Sequence, residues 1–121
     1  MRKEYFIHLL EPVEICGETH IAKIDTGASR SSIDRRLASR LKLGPVIKEK
    51  KVKNSHGATV RQIVKTKVKI GNRVIPTTFT LADRKDLKFD LILGKNFLWR
   101  GFFIDTRRCD LEREYNESRS N

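Results

Sequence analysis

The feature that most constrains this chain is an aspartate that stands where an apolar strand pattern ends in a glycine-containing turn. Residues 20–24 alternate between apolar and polar side chains, as a half-buried strand does, and Asp25-Thr26-Gly27 follows directly. Backbone N–H groups of such a turn, together with the threonine hydroxyl, can hold a buried carboxylate in a usable state. The same residues also fit a plain tight turn, in which the aspartate caps the turn and Gly27 supplies a positive φ.

A second element lies late in the chain and combines an apolar strand, a glycine and the start of a short helix. It covers residues 89–98 and has Leu93-Gly94-Lys95-Asn96 at its centre. Alone, this stretch fits a buried strand followed by a helix. The occurrence of both elements, in this order and at a separation typical of one small domain, is far less frequent by chance than either element alone.

The length and composition of the chain indicate one folded domain. Its 121 residues suffice for a single core, and a hydrophobic content of 38% argues against wholesale disorder. We predict a single domain over residues 1–112 and a disordered tail over residues 113–121. No apolar run reaches the roughly 18 residues that a membrane span needs. The first residues lack the pattern of a signal peptide, so we expect a cytoplasmic location.

The chain is strongly basic, with 26 Lys and Arg residues, 15 Asp and Glu residues and a formal net charge of +11. The field of such a protein attracts polyanions, and both nucleic acid and acidic polypeptides are candidates. Charge alone does not decide between them, because lysines on strands also protect sheet edges. A basic nucleic-acid-binding protein is the less favoured alternative, since the sequence has no helix-turn-helix, zinc-finger or aromatic-basic signature.

The two cysteines, Cys16 and Cys109, are far apart in sequence and are expected to be free thiols in a reducing cytosol. Cys16 and His20 stand at a Cys-x3-His spacing, but two ligands do not close a zinc site. The sequence also has no His-Glu-x-x-His pattern. We therefore predict no metal site and no cofactor.

The rest of the pattern predicts strands joined by turns, with one short helix after the aspartate loop. A first strand over residues 5–10 is interrupted by Pro12. Ile33 opens a helical spacing of apolar residues, which predicts a helix over residues 34–42 with an aspartate as its N-cap. Residues 58–70 read as a long strand, and within residues 64–70 the even positions are apolar or neutral while the odd positions are lysines, which predicts a half-buried antiparallel strand.

Over about residues 7–111 the chain resembles the retropepsin-like aspartic peptidases, whose active-site loop reads Asp-Thr-Gly-(Ala or Ser) after an apolar strand. These peptidases also carry a strand–Gly–(Arg or Lys)–(Asn or Asp)–helix element that lies beside the loop and braces it. More narrowly, the chain looks like a small prokaryotic group labelled "ATP-dependent zinc protease". The zinc label of that group finds no ligand set in this sequence. The residues that carry the resemblance are 22–29, 54–57, 80–84 and 91–98.

The resemblance implies an all-β, mainly antiparallel, closed-barrel-like retropepsin fold with one or two short helices. It also implies that the chain is an aspartic endopeptidase, and it assigns roles to individual residues. The implied catalytic residues are Asp25, Thr26 and Gly27. The implied supporting residues are Ala28, Ser29, Leu93, Gly94, Lys95 and Asn96. The implied flap and substrate-binding residues are Asn54, Ser55, His56 and Gly57, to which charge and position add Arg30.

The aspartic mechanism uses two carboxylates that share one proton and activate a water molecule. Because the chain has a single Asp-Thr-Gly, the second carboxylate would come from the Asp25 of another copy in a C2 homodimer. The group is associated with ATP-grasp ligases that add glutamate residues to protein tails. That association implies a glutamate-rich tail as substrate, which suits a net charge of +11. The alternative is a catalytically silent peptide-binding or regulatory module of the same fold.

Overall fold

The computed structural model describes residues 5–108, which form nine strands and two short helices. Cys109 and the predicted tail over residues 113–121 lie outside this range. In chain order the elements are β1 (Phe6–His8), β2 (Leu10–Ile15), β3 (Glu18–Ile24), β4 (Ser31–Asp34), α1 (Arg35–Arg40), β5 (Val46–Asn54), β6 (Gly57–Ile70), β7 (Arg73–Ala82), β8 (Leu91–Leu93), α2 (Lys95–Leu98) and β9 (Phe103–Asp105).

Six of the strands close into a barrel. Their order is β2–β3–β8–β4–β7–β6, and β6 returns to β2 where Lys69 lies opposite Glu14. The pairs β3–β8 and β4–β7 are parallel, and the other neighbours in the barrel are antiparallel. Strands β1 and β9 form a separate parallel pair. The predicted all-β, mainly antiparallel, closed-barrel-like fold with one or two short helices is therefore confirmed.

The core fills the inside of the barrel because the strands alternate between apolar and polar side chains. Phe79 on β7 and Phe97 on α2 are fully buried there, together with apolar residues from each of the other five barrel strands. Strand β6 confirms the predicted alternation from Val64 to Ile70. Its buried apolar residues include Val64, Val68 and Ile70, and its exposed cations include Lys65, Lys67 and Lys69. No helix among residues 5–108 is long and apolar enough to cross a membrane.

The prediction that Pro12 interrupts the first strand is wrong. Pro12 lies within β2 and opposite Ile21 of β3. Strand β2 touches its other neighbour, β6, only at Glu14, so the missing N–H of the proline faces no partner strand. The interruption falls at Leu9, whose carbonyl oxygen accepts a hydrogen bond from the backbone N–H of Ile24 at 2.9 Å.

The helix predicted over residues 34–42 is observed as α1 over Arg35–Arg40, and Ile33, whose spacing matches that helix, lies on a strand instead. Residues Ser31–Asp34 form strand β4, which is inserted between β7 and β8, and the buried Ile33 points into the core. Four residues are too few to show a strand pattern in the sequence, so only the helical spacing is visible there. In the fold, cross-strand hydrogen bonds decide the conformation of this segment. The predicted N-cap is observed, because an Asp34 side-chain oxygen accepts from the backbone N–H of Arg36 at 3.1 Å.

The hairpin of β5 and β6 extends beyond the barrel. Strand β7 pairs with β6 only from Ile63 onward, so the earlier part of β6 pairs with β5 alone. The chain turns between Asn54 and Gly57, as the sequence predicts, and Gly57 adopts a φ of 119°. We call this projecting ribbon, residues 48–62, the hairpin arm.

Candidate active site

The Asp25 loop begins where β3 leaves the barrel. The backbone N–H of Asp25 donates to the carbonyl oxygen of Leu93 on β8 at 2.9 Å, which continues the parallel pairing of β3 and β8 by one residue. The loop then closes on itself, because the N–H of Gly27 donates to Oδ1 of Asp25 at 3.0 Å. Asp25 is half-buried, whereas Thr26 and Gly27 are exposed. The carboxylate is therefore fixed in direction and still reachable from outside.

Gly94 packs against the back of this loop at a distance that only glycine allows. A Cβ atom built at Gly94 would lie 2.7 Å from the carbonyl oxygens of Ala28 and Arg30. The next two backbone N–H groups bind the same loop: Lys95 donates to Ala28 O at 2.8 Å, and Asn96 donates to Ser29 O at 3.3 Å. The start of α2 thus braces the loop through its backbone.

The side chain of Asn96 joins three segments of the chain. Its Oδ1 accepts from the backbone N–H and the hydroxyl of Ser31, both at 2.8 Å. Its Nδ2 donates to the carbonyl oxygen and the hydroxyl oxygen of Thr78, at 3.0 and 3.2 Å. The hydroxyl of Ser31 in turn accepts from the N–H of Gly94 at 3.0 Å. This fully used amide holds the end of the Asp25 loop, β7 and α2 in one arrangement.

A groove of about 430 Å³ opens beside the Asp25 loop. Three arginines line it, and each comes from a different part of the chain: Arg30 from the loop, Arg61 from the hairpin arm and Arg84 from the segment after β7. Ser29, Ser32 and Thr80 are among the other lining residues. We call this site the arginine groove, and its charge suits anionic groups of a ligand.

Arg84 is fixed in the arginine groove by backbone contacts. Its Nε donates to the carbonyl oxygen of Phe89 at 2.8 Å, and its N–H donates to Oδ1 of Asp34 at 2.8 Å. Burial lowers the pKa of the Arg84 guanidinium below its usual value. The negative charges of Asp90, Asp25 and Asp34 oppose that shift, so Arg84 stays a cation within the field of the candidate catalytic carboxylate.

Asp34 is a buried acid that organises this side of the site. Burial disfavours its charged form, but hydrogen bonds from the backbone N–H of Arg84 and from Arg36 outweigh burial and hold its pKa below the usual value. Asp34 therefore remains ionised and ties the beginning of α1 to the segment that carries Arg84.

A comparison with protein families connects this geometry to a known class. The family described as "gag-polyprotein putative aspartyl protease" matches residues 12–100. That range contains the Asp25 loop, the hairpin arm and the Gly94 element. The chain belongs to this family. The resemblance to retropepsin-like aspartic peptidases is therefore confirmed over residues 12–100 at the level of the aspartyl protease family, whereas the narrower "ATP-dependent zinc protease" group stays a prediction.

Solved structures add evidence about the fold of this aspartyl protease family member. The chain is similar to the crystal structure of Lpg0085, a DUF785 protein of unknown function from Legionella pneumophila subsp. pneumophila str. Philadelphia 1. The TM-score is 0.61 at 18% sequence identity, over 86% of this chain and 95% of that one. No curated protein matches the chain.

The structure brings together most of the site residues that the sequence predicts for an aspartyl protease of this family. Asp25 to Arg30 form one loop, and Leu93 to Asn96 contact it. The tip residues Ser55, His56 and Gly57 are exposed at the end of the hairpin arm and do not line the arginine groove, although the base of that arm supplies Arg61.

The sequence did not indicate Ser31, Thr78, Arg61, Arg84 or Asp34 as parts of the site. One signal was present for Arg84, which ends one of the stretches that carry the family resemblance.

The described residues do not fit the zinc label: no group of three or more potential ligand side chains is placed to hold a metal ion within residues 5–108. We derive no reaction step through a metal.

Proposed function

We propose that this chain is an aspartic endopeptidase of the retropepsin type that hydrolyses peptide bonds as a homodimer. The observation that carries the proposal is the Asp25 loop, in which a half-buried, accessible carboxylate is fixed by Gly27 and braced from behind by Gly94. A loop held by backbone contacts on both sides keeps the carboxylate in one position, which acid–base chemistry requires.

The proposed second carboxylate is the Asp25 of the partner subunit. Two carboxylates about 3 Å apart cannot both ionise, so they share one proton. The exposure of Thr26 and Gly27 leaves the loop open to a second copy on a C2 axis. Exposed apolar side chains support a self-association surface: Phe6, Trp99 and Phe103 are 44%, 77% and 52% exposed.

In the proposed mechanism the ionised member of the pair takes a proton from a water molecule, whose oxygen attacks the carbonyl carbon of the substrate. The protonated member donates its proton to the carbonyl oxygen, which gives a neutral tetrahedral intermediate. That intermediate collapses when its hydroxyl returns a proton to one carboxylate and the leaving nitrogen takes a proton from the other. The C–N bond breaks, and the pair again holds one proton.

We propose an acidic or glutamate-rich protein tail as the substrate. The support is the arginine groove, because Arg30, Arg61 and Arg84 place three cations beside the Asp25 loop. The proposal includes a functional link to an ATP-grasp ligase that adds such glutamates, and a cytoplasmic location for both activities.

The hairpin arm is proposed to act as the flap. Residues 57–61 of its second strand are all exposed, and its base reaches the arginine groove through Arg61. Closure of the arm over a bound peptide would exclude water and allow the tip, Asn54 to Gly57, to pair with the extended backbone of the substrate.

Subunit mixing tests the shared site. Wild-type chain is mixed with Asp25→Asn chain under conditions that allow exchange, and cleavage of a glutamate-tailed protein is followed. At equal amounts of both chains, a dimeric site leaves about a quarter of the dimers with two intact aspartates. Activity that falls only by half, in proportion to dilution, would contradict a shared site. Binding without cleavage by any mixture would instead indicate the silent module, and equal binding of nucleic acid a nonspecific polyanion binder.

A further inference from the structure

Strand β6 carries a row of lysines on the outer face of the barrel. Lys65, Lys67 and Lys69 are exposed and alternate with residues whose side chains face the core or its margin. Residues two apart on a strand are about 6.7 Å apart, so the three ammonium groups follow that spacing. Among residues 5–108, no ion pair involves these three lysines, and the one acid opposite them in the sheet is Glu14, across from Lys69.

Two of these lysines border a second concave site. Lys65 and Lys67 line a cavity of about 540 Å³ together with Pro76 of β7, Gly44 before β5 and Cys16 at the β2–β3 turn. We call it the lysine groove. Lysines that serve only solubility or edge protection can lie on a flat surface. Lys65 and Lys67 instead line a concave site, which is the shape of a binding site.

The lysine groove is a different site from the arginine groove, but strand β6 contributes residues to both. It shares no lining residue with the arginine groove. Arg61, which lines the arginine groove, and Lys65 are four residues apart on β6 and therefore lie on the same face, about 13 Å from each other. One extended chain of modest length can reach both grooves.

We infer that the lysine groove binds an extended acidic polypeptide segment. An extended peptide presents every second side chain on one face, about 6.7 Å apart, which equals the spacing of Lys65 and Lys67. Carboxylates at alternate positions therefore meet the two ammonium groups in register. The inference rests on the proposed function for one point, namely that the segment bound here is a part of the substrate away from the scissile bond.

The lining of the groove favours polypeptide over nucleic acid. Single-stranded nucleic acids bind through a basic track combined with aromatic side chains on which bases stack. The described lining residues comprise Cys16, Gly44, Lys65, Thr66, Lys67 and Pro76, and none is aromatic. A chain with carboxylates and a narrow backbone needs only the cations and the apolar floor that Pro76 provides.

Cys16 supplies a readout that does not depend on activity. Its side chain is exposed and lines the lysine groove, so a bound peptide shields the thiol from alkylation. The full chain is prepared with Asp25→Asn to prevent turnover and Cys109→Ser, which leaves Cys16 as the sole cysteine. The rate of reaction with a maleimide is measured with and without a synthetic oligoglutamate peptide, and with a single-stranded oligodeoxynucleotide of equal charge.

We expect the oligoglutamate peptide to slow alkylation of Cys16 severalfold and the oligonucleotide to leave the rate nearly unchanged. In the same background, Lys65→Glu with Lys67→Glu abolishes the protection and weakens peptide binding by about tenfold, as expected for the loss of two exposed ion pairs. The matched control, Arg35→Glu with Lys42→Glu, changes the net charge equally at two exposed positions outside both grooves and retains the protection.

Absence of protection by the peptide, or equal protection by the oligonucleotide, would overturn the inference. So would unchanged protection in the Lys65 and Lys67 variant. The outcome is distinguishable from that of the proposed function: Asp25-dependent cleavage without protection of Cys16 refutes only the lysine groove. Protection without cleavage refutes only the peptidase.

Discussion

Substitution of Gly94 by alanine tests whether the Asp25 loop depends on close backbone packing. The new Cβ would lie 2.7 Å from the carbonyl oxygens of Ala28 and Arg30, whereas ordinary contact begins near 3.4 Å. The loop must therefore retreat from α2 by roughly 0.7 Å, because both obstructing atoms belong to the backbone. The shift lengthens the hydrogen bonds from Lys95 N and Asn96 N to the loop, at 2.8 and 3.3 Å in the native structure.

The expected cost of Gly94→Ala is about 2–4 kcal/mol of unfolding free energy, the sum of overpacking and of two weakened hydrogen bonds. We expect cleavage to fall by about a hundredfold in molecules that remain folded, because the carboxylate moves with the loop. Urea denaturation followed by circular dichroism gives the free energy, and cleavage is assayed well below the unfolding midpoint.

Gly27→Ala is the comparison variant for Gly94→Ala. A Cβ at Gly27 meets only the Asp25 side-chain oxygen, at 3.3 Å, so stability should fall by less than about 1 kcal/mol while activity still declines. A Gly94→Ala protein as stable as wild type would show that the Asp25 loop does not depend on this close packing. So would equal destabilisation by the two substitutions, since only one of them collides with backbone.

Three further predictions concern side chains around the loop. Asn96→Ala removes the acceptor for Ser31 and the donor to Thr78, and should lower the free energy of unfolding by about 2–4 kcal/mol in urea melts; a change below about 1 kcal/mol would mean that the amide is not structural. Asp34 has a lowered pKa, so its charge stabilises the fold above its ordinary pKa and that stability is lost as the pH falls through the folded value. The stability difference between wild type and Asp34→Asn should therefore be constant near neutrality and shrink below about pH 4, and a difference that grows on acidification would contradict this. Arg30→Gln and Arg61→Gln should each raise KM for an acidic peptide by about tenfold and leave KM for a neutral peptide unchanged; equal effects on both peptides would exclude charge recognition.

The Asp25 loop and the Gly94 element could be predicted because each is a local pattern. The loop needs only a strand, an acid and a glycine in succession, and the brace needs a strand, a glycine and a helix start. The alternation on β6 could also be predicted, since Val64 and Val68 belong to the buried face of the strand and the lysines between them belong to the exposed face.

The rest of the site depends on contacts between distant residues, which a sequence does not display. Asn96 meets Ser31 and Thr78 only because β4 and β7 are neighbours in the barrel. The four-residue strand β4 was hidden by the helical spacing that begins at Ile33. Its hydrogen bonds to β7 and β8 decide its conformation, and nothing local does.

The location of the positive charge was also beyond the sequence. A net charge of +11 predicts an affinity for polyanions but not a site. The fold gathers Arg30, Arg61 and Arg84 at one groove because the end of the Asp25 loop, the hairpin arm and the segment after β7 converge there. Only that convergence converts a basic composition into a candidate recognition site.

Mass spectrometry of a protein with an added oligoglutamate tail shows whether this chain is a peptidase that depends on Asp25. The tailed protein is incubated with wild type and, in parallel, with Asp25→Asn, which keeps the size of the side chain but carries no charge and cannot take up a proton as a base. We expect that wild type alone shortens the tail. Shortening by both chains would place the chemistry away from Asp25 and contradict an aspartic mechanism, and an intact tail with both would contradict the proposed substrate.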